Sequence, residues 1–330
     1  MSHPSIRLKR KILRHIDLER VVGVILFGST ARSEADRFSD IDIAIFWNRN
    51  LNHYERLNIE GVEVELLWYP MRQLAETFDE SIRDRGDTWM KTCFWLNLLR
   101  DGAIIHDRDG RLAEYRERAI DWRWRGREVK STLEAARMDL RMAERLLEEG
   151  RNVEATLCLR DALNLMVVHH LMSRGEIPSY RPKEINRAAA QLGEGYLTLY
   201  RELMGLIERP KVDEVLNICS RIHSRFRGWS PTVERSLRET LKSAARGDME
   251  LTLLSARHYA LRALREALTR RGMEVKLEYF NSESHIRLLK RAEGVEDSIL
   301  NGYLRLQSLG GLLDDEELRN LISVISGSYL

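Results

Sequence analysis

Two aspartates stand one residue apart in "SDIDIAIFW", at Asp40 and Asp42, inside an apolar run. On an extended strand, residues i and i+2 share a face. Both carboxylates therefore point the same way, while Ile41, Ile43 and Ile45 point the other way into a core. Two carboxylates side by side in a partly buried strand repel each other and lose hydration, and a hard divalent cation relieves both costs. Upstream, the apolar run "VVGVILF" (21–27) breaks into Gly28-Ser29, and ten residues separate Ser29 from Asp40. Gly28 lets backbone N–H groups approach an anion closely, Ser29 adds a hydroxyl, and Arg32 offers a forked donor to a phosphate oxygen. "GVEVELLW" (61–68) supplies a third acid: Glu63 and Glu65 share one strand face, and either could complete a site for two metal ions. A phosphate cradle beside metal-binding carboxylates equips a protein for phosphoryl or nucleotidyl transfer, where catalysis is mostly positioning and charge neutralisation.

These side chains require a small sheet near the N-terminus. The pattern predicts a helix over 5–20, then strands over 21–27, 40–47 and 61–68, with a short helix over "ARSEAD" (31–36) whose N-terminal dipole would favour a phosphate. Residues 70–100 read as two helices or one broken helix, and "GAIIHDRDG" (102–110) as a short strand and a polar turn. From Arg111 the texture is helical. Helices fit 131–150, capped by Ser131, and then 152–175, 184–208, 211–226, 231–246 and 249–271. "MEVKLEYF" (273–280) reads as a strand or edge segment, followed by short helices. The fold class is α+β: a small mixed sheet flanked by helices, then a mostly α-helical C-terminal domain. The divisions expected are a catalytic domain over 1–115, a helical domain over 116–272 that is a candidate for the acceptor site or for dimerisation, and a small helical extension over 273–330.

Bulk properties narrow the class. The 330 residues are 43% hydrophobic and 32% charged, with a net charge of +2. That balance gives no broad field for nucleic acid, so a nucleic-acid partner is not expected. No apolar run approaches the ~18 residues that span a bilayer, and the N-terminal stretch has no apolar signal core, so no membrane association is expected. Cys93, Cys158 and Cys219 are few and far apart, which fits a reducing cytoplasm and neither a disulfide framework nor a metal-ligand spacing. "DWRWRGREVK" (121–130) could stack a base, but such a run is more often an amphipathic segment whose tryptophans pack. His169-His170 point about 100° apart on a helix and have no acids at ligand spacing.

An apolar strand, Gly-Ser, a ten-residue spacer and Asp-x-Asp in a second apolar strand together resemble the DNA polymerase β-like nucleotidyltransferase superfamily. The phrase "FGSTAR…SDIDI" is similar to that of the kanamycin-type aminoglycoside nucleotidyltransferases and of the minimal nucleotidyltransferases that pair with HEPN proteins. The resemblance continues through "VEVELLWYPMRQL" and "IIHDRDGRL" and covers roughly residues 20–115. It implies that Ser29 and the Gly28 backbone hold nucleotide phosphates, that Arg32 assists, and that Asp40 and Asp42 bind Mg²⁺. The third acid would be a metal ligand or the general base. Glu65 is preferred because "ELLWYP" sits best against the family's strand, and Glu63 remains open because a two-residue slip preserves the face.

The activity implied is Mg²⁺-dependent transfer of a nucleoside monophosphate, AMP from ATP, to a hydroxyl of a small molecule or protein, with release of pyrophosphate. The alternative is a nucleotide-binding regulatory or antitoxin-like module without turnover. In kanamycin-type enzymes a helical domain follows the catalytic one and helps form the acceptor pocket, sometimes across a dimer, so a homodimer is a further implication.

Overall fold

A computed structural model describes residues 11–80, 89–207, 210–225, 228–273, 282–292, 297–310 and 314–328. The chain divides into two compact units, Met1–Glu128 and Val129–Leu330.

The first unit is built on a five-stranded sheet of order β3-β4-β2-β1-β5. The strands are β1 (Val21–Phe27), β2 (Ile41–Trp47), β3 (His53–Ile59), β4 (Val62–Pro70) and β5 (Ala103–Asp107). β2 pairs antiparallel with β1 and parallel with β4, and β3 and β5 are antiparallel edges. Every residue of β1 and β2 is buried, as near-continuous apolar strands in the middle of a sheet must be. One face packs Ile41, Ile43, Ile45, Val64 and Leu66 with Ile12 and Ile16. The other face carries Phe46 and Tyr69, whose rings meet Trp95 of a helix at centroid distances of 5.9 and 4.9 Å. That helix is α2 (Trp89–Asp101); α1 (Met71–Glu76) precedes it, and α3 (Arg111–Ile120) follows β5. Asp42 and Glu65 share parity with Phe46 and Tyr69, so they lie on the α2 face.

The α+β class is as expected, and several local expectations are corrected. Of the helix expected over 5–20, only 11–13 are helical among the described residues; 14–20 form turns and a bend, and 5–10 lie outside the described residues. Residues 31–36 are not helical either. Ser33 sits at φ 59°, which breaks a right-handed helix, and the Asp36 side chain draws Phe38 N and Ser39 Oγ into a turn at 2.9 Å each. No helix dipole is therefore available at Gly28-Ser29. Strand β3 was not foreseen. It forms a hairpin with β4 through Glu60-Gly61, with Glu60 at φ 55°, as tight primed hairpin turns require.

The second unit is helical. Its helices are α4 (Gly126–Glu148, whose first turn belongs to the first unit), α5 (Asn152–Ser173), α6 (Pro182–Ala189), α7 (Glu194–Leu203), α8 (Val212–His223), α9 (Pro231–Ala245), α10 (Met249–Arg270), α11 (Ser282–Ala292), α12 (Asp297–Ser308) and α13 (Asp315–Ser328). Ser131 is no cap: the helix ladder is already established at Gly126, and Glu128 Oε2 accepts from Arg125 N at 2.7 Å. The helix expected over 184–208 is interrupted at Gly193, beyond a short 3₁₀ turn. The strand expected over 273–280 lies, beyond Met273, outside the described residues. No helix among the described residues is long and apolar enough to cross a membrane.

Two charged clusters lie inside this unit. Arg160 and Arg257 are buried and donate to backbone carbonyls near the ends of α7 and α12. His285 is buried with its Nδ1 2.8 Å from Asp161 Oδ2. Burial pulls the His285 imidazole down, but the Asp161 carboxylate, with a further lift from Asp139, outweighs it, so the group titrates above the ordinary histidine range. Burial, reinforced by Arg262 and His285, holds His258 well below that range. The two act in opposite directions. The raised His285 contributes stability that is full below about pH 6.5 and fades as pH rises through its folded value. The lowered His258 costs stability as pH falls below about pH 6.5, where the unfolded chain takes the proton first. Urea midpoints between pH 6.5 and 8 should therefore fall for the native chain and stay flat for His285→Gln. Equal slopes in the two proteins would refute this coupling. The range stops there because the buried Cys93 and Cys219 thiols, both pushed up by burial, cost stability at higher pH.

Candidate active site

β1 ends at Phe27, which pairs with Asp42 across the antiparallel ladder. The next residue, Gly28, has φ +77° and lies under the Asp42 carboxylate. A Cβ at Gly28 would overlap Asp42 Oδ2 and sit 3.2 Å from its Cγ. Glycine is thus required here twice, by conformation and by space. Gly28→Ala should cost about 1–3 kcal/mol of stability and displace the Asp42 carboxylate. Thermal melting and turnover should fall together, and a variant with native melting and native turnover would contradict the geometry.

After Gly28 the spacer is two tied turns. Arg32 N donates to Gly28 O at 3.3 Å and Glu34 N to Ser29 O at 2.9 Å. Thr30 Oγ1 donates to Asp40 O at 3.2 Å, fastening the phosphate-type turn to the start of β2. Thr30 was not singled out from sequence. The Arg32 guanidinium pairs with Glu34 at 3.2 Å.

The parallel β2–β4 register sets Asp42 beside Glu65. Glu65 is 0% exposed, Asp42 6% and Asp40 9%, so three ionisable acids sit in the interior at one end of the sheet. Asp40, Glu63 and Glu65 each place a ligand atom within 4.8 Å of the other two. Asp42 is not in that triplet; its carboxylate lies over Gly28 instead. Buried like charges at this density are costly unless a cation joins them. An all-carboxylate oxygen set suits Mg²⁺, and the glycine beneath Asp42 keeps that carboxylate's place clear.

The edge strand β3 distinguishes the two glutamates. Tyr54 Oη donates to Glu65 Oε1 at 2.9 Å. Arg56 forms an ion pair with Glu63, whose side chain is 24% exposed. Glu65 is therefore the buried acid on the Asp42 row, and Glu63 the rim acid already matched by a cation. If the phenol fixes the Glu65 carboxylate, Tyr54→Phe should lower kcat about tenfold and leave KM for the nucleotide unchanged, because it frees one oxygen without removing charge. An unchanged kcat would remove Tyr54 from the site. No sequence signal marked Tyr54, because its strand was unseen.

The remaining features have structural partners. Trp122 is buried and meets the Phe78 ring at 5.8 Å. His169 Nδ1 lies 3.1 Å from Val129 O and 3.3 Å from Thr132 Oγ1, with no metal-type cluster around it among the described residues.

Residues 6–90 match the family described as nucleotidyltransferase domain. No curated protein matches the chain. Among solved structures, a nucleotidyltransferase-like protein from Exiguobacterium sibiricum 255-15 aligns over 91% of this chain and 90% of its own, at 12% identity and a TM-score of 0.38. A likeness at that level carries no argument about function.

Proposed function

We propose that this chain, whose residues 6–90 are a nucleotidyltransferase domain, moves a nucleoside monophosphate from a nucleoside triphosphate to an acceptor hydroxyl and releases pyrophosphate. ATP is the donor we assign, and the acceptor is a hydroxyl of a small molecule or of a protein. The observation that supports this reading is the convergence of Asp40, Glu63 and Glu65 within 4.8 Å at the sheet end where Gly28 accommodates Asp42.

In this reading the Ser29 hydroxyl and the N–H groups of the Gly28-Ser29 turn bind the β- and γ-phosphates, and Arg32 exchanges Glu34 for a phosphate oxygen. Asp40, Asp42 and Glu65 would hold two Mg²⁺ ions, which when bound supply positive charge to the triphosphate and to the departing pyrophosphate. Glu65, oriented by Tyr54, receives the proton of the acceptor hydroxyl. The acceptor oxygen then bonds to the α-phosphorus as the bond to the bridging oxygen breaks. Glu63 stays at the rim with Arg56. A role for the helical unit in holding the acceptor, or in dimerisation, is part of the same proposal. A cytoplasmic setting fits the three cysteines, all buried and none disulfide-bonded.

Calorimetric titration with the non-hydrolysable α,β-methylene ATP tests the assignment of the site. Binding should require Mg²⁺ in the native chain and be lost in Asp40→Asn/Asp42→Asn. Equal, metal-independent binding in both proteins would overturn the reading and favour a nucleotide-binding module without turnover.

A further inference from the structure

The sheet has a second polar end. The C-terminal ends of β2 and β4 lie side by side, with Trp47 opposite Pro70. Trp47 stands five positions along β2 from Asp42, about 17 Å at ~3.3 Å per residue. Beyond these strand ends opens a cavity of about 330 Å³, at the lower end of the range for small-molecule pockets. β2 and β4 are the parallel pair of this otherwise antiparallel sheet, so both strands end on the side of the cavity.

The lining has a definite chemistry. Trp47, Pro70 and Met71 are buried and give it an apolar floor. Arg49, Arg72 and Arg111 stand around it, and none of its lining residues is acidic. Arg49 lies 5.1 Å over the Trp47 ring and pairs with no carboxylate among the described residues. Arg72 pairs with Glu76 at 3.3 Å and Arg111 with Asp109 at 2.7 Å. All four of these side chains are more than a third exposed, so solvent screens both pairs; Arg72–Glu76 is weak, whereas Arg111 holds Asp109 Oδ2 through Nε at 2.8 Å as well as Nη2 and must exchange that carboxylate for the dianion. Guanidinium forks match phosphate geometry, and three of them favour a dianionic phosphate over a single carboxylate.

We propose that this cavity is a second ligand site, separate from the carboxylate cluster, for an organic phosphate of mononucleotide size. The arginines hold its phosphate, and the floor of Trp47, Pro70 and Met71 takes its apolar body. The Asn48 and Asn50 side chains, also on the lining, offer hydrogen bonds to that body. Occupancy there does not depend on nucleotide transfer at the other end of the sheet, so each proposal can fail alone.

The test uses the full chain carrying Asp40→Asn and Asp42→Asn in excess EDTA, which removes two carboxylates and any metal from the first site. AMP, adenosine and inorganic phosphate are titrated separately by calorimetry. One equivalent of AMP should bind, at least tenfold tighter than either fragment. Adding Arg49→Gln and Arg72→Gln should weaken AMP at least tenfold while circular dichroism and melting stay unchanged; Arg111→Gln serves as the second variant if the double one loses its fold. Absence of AMP binding, AMP binding no tighter than that of inorganic phosphate, or affinity indifferent to the arginines would each overturn the proposal.

Discussion

Asp42→Asn should lower nucleotide turnover by about 10³-fold while melting temperature stays level or rises. The amide keeps the shape of the carboxylate over Gly28 and its place in the ladder between Phe27 and Glu65. It loses the negative charge and exchanges one acceptor oxygen for an NH2 donor. If that charge serves to hold cations against the triphosphate, the loss appears in the rate and not in the fold, because the substitution relieves repulsion from neighbouring buried acids. Steady-state turnover and thermal melting on the same preparation decide the matter. Native turnover would remove Asp42 from the chemistry. A loss of rate matched by a fall in melting temperature would make the carboxylate structural.

The largest expected effect on stability lies in the helical unit. Arg257 is buried and donates through Nε to Leu306 O at 2.8 Å, through Nη1 to Met204 O at 2.6 Å and through Nη2 to Leu309 O at 2.7 Å. Those carbonyls belong to the ends of α7 and α12, where helices leave acceptors unsatisfied and the dipole is negative. Gly205 and Gly310 bring the two ends into backbone contact, and a Cβ at Gly310 would overlap Gly205 O. Burial, with Arg160 nearby, pushes the Arg257 guanidinium well below its ordinary value, so the carbonyls must compensate a substantial desolvation. Arg257→Ala strands several acceptors at once, at about 1–3 kcal/mol for each buried carbonyl left unpaired, and should shift melting on the order of 10 °C for a unit of this size. Arg257→Lys should recover only part of this, because one ammonium cannot fork to both helix ends. An alanine variant within about 1 kcal/mol of the native chain would show that water satisfies the carbonyls instead.

Much of the candidate site was legible because its residues announce themselves locally. "VVGVILF" and "IDIAIFW" are apolar enough to demand the middle of a sheet, and the Gly28-Ser29 break and the Asp40-x-Asp42 alternation follow from strand geometry alone. β3 was not legible, since "HYERLNI" is a mostly exposed edge whose order comes from its ladder with β4 rather than from an apolar face. Tyr54 and Arg56 were lost with it. Glu63 and Glu65 share a face, so alternation in β4 cannot rank them; the difference is written in the neighbouring strand, as a phenol on one and a guanidinium on the other. The turn at Ser33 and the Asp36 knot escaped notice for a similar reason. "ARSEAD" has helical propensity, and the side-chain bonds of Asp36 with Phe38 and Ser39 override it.

The central claim is that the α-phosphoryl group with its nucleoside, and not the γ-phosphoryl group, leaves ATP for an acceptor. The most direct measurement incubates the protein, Mg²⁺ and a panel of hydroxyl acceptors in parallel with ATP labelled at the α- or the γ-phosphate. The account predicts α-label in the acceptor and γ-label in pyrophosphate, both absent from Asp40→Asn/Asp42→Asn. Transfer of the γ-label to the acceptor, or equal α-label in native and variant protein, would contradict it.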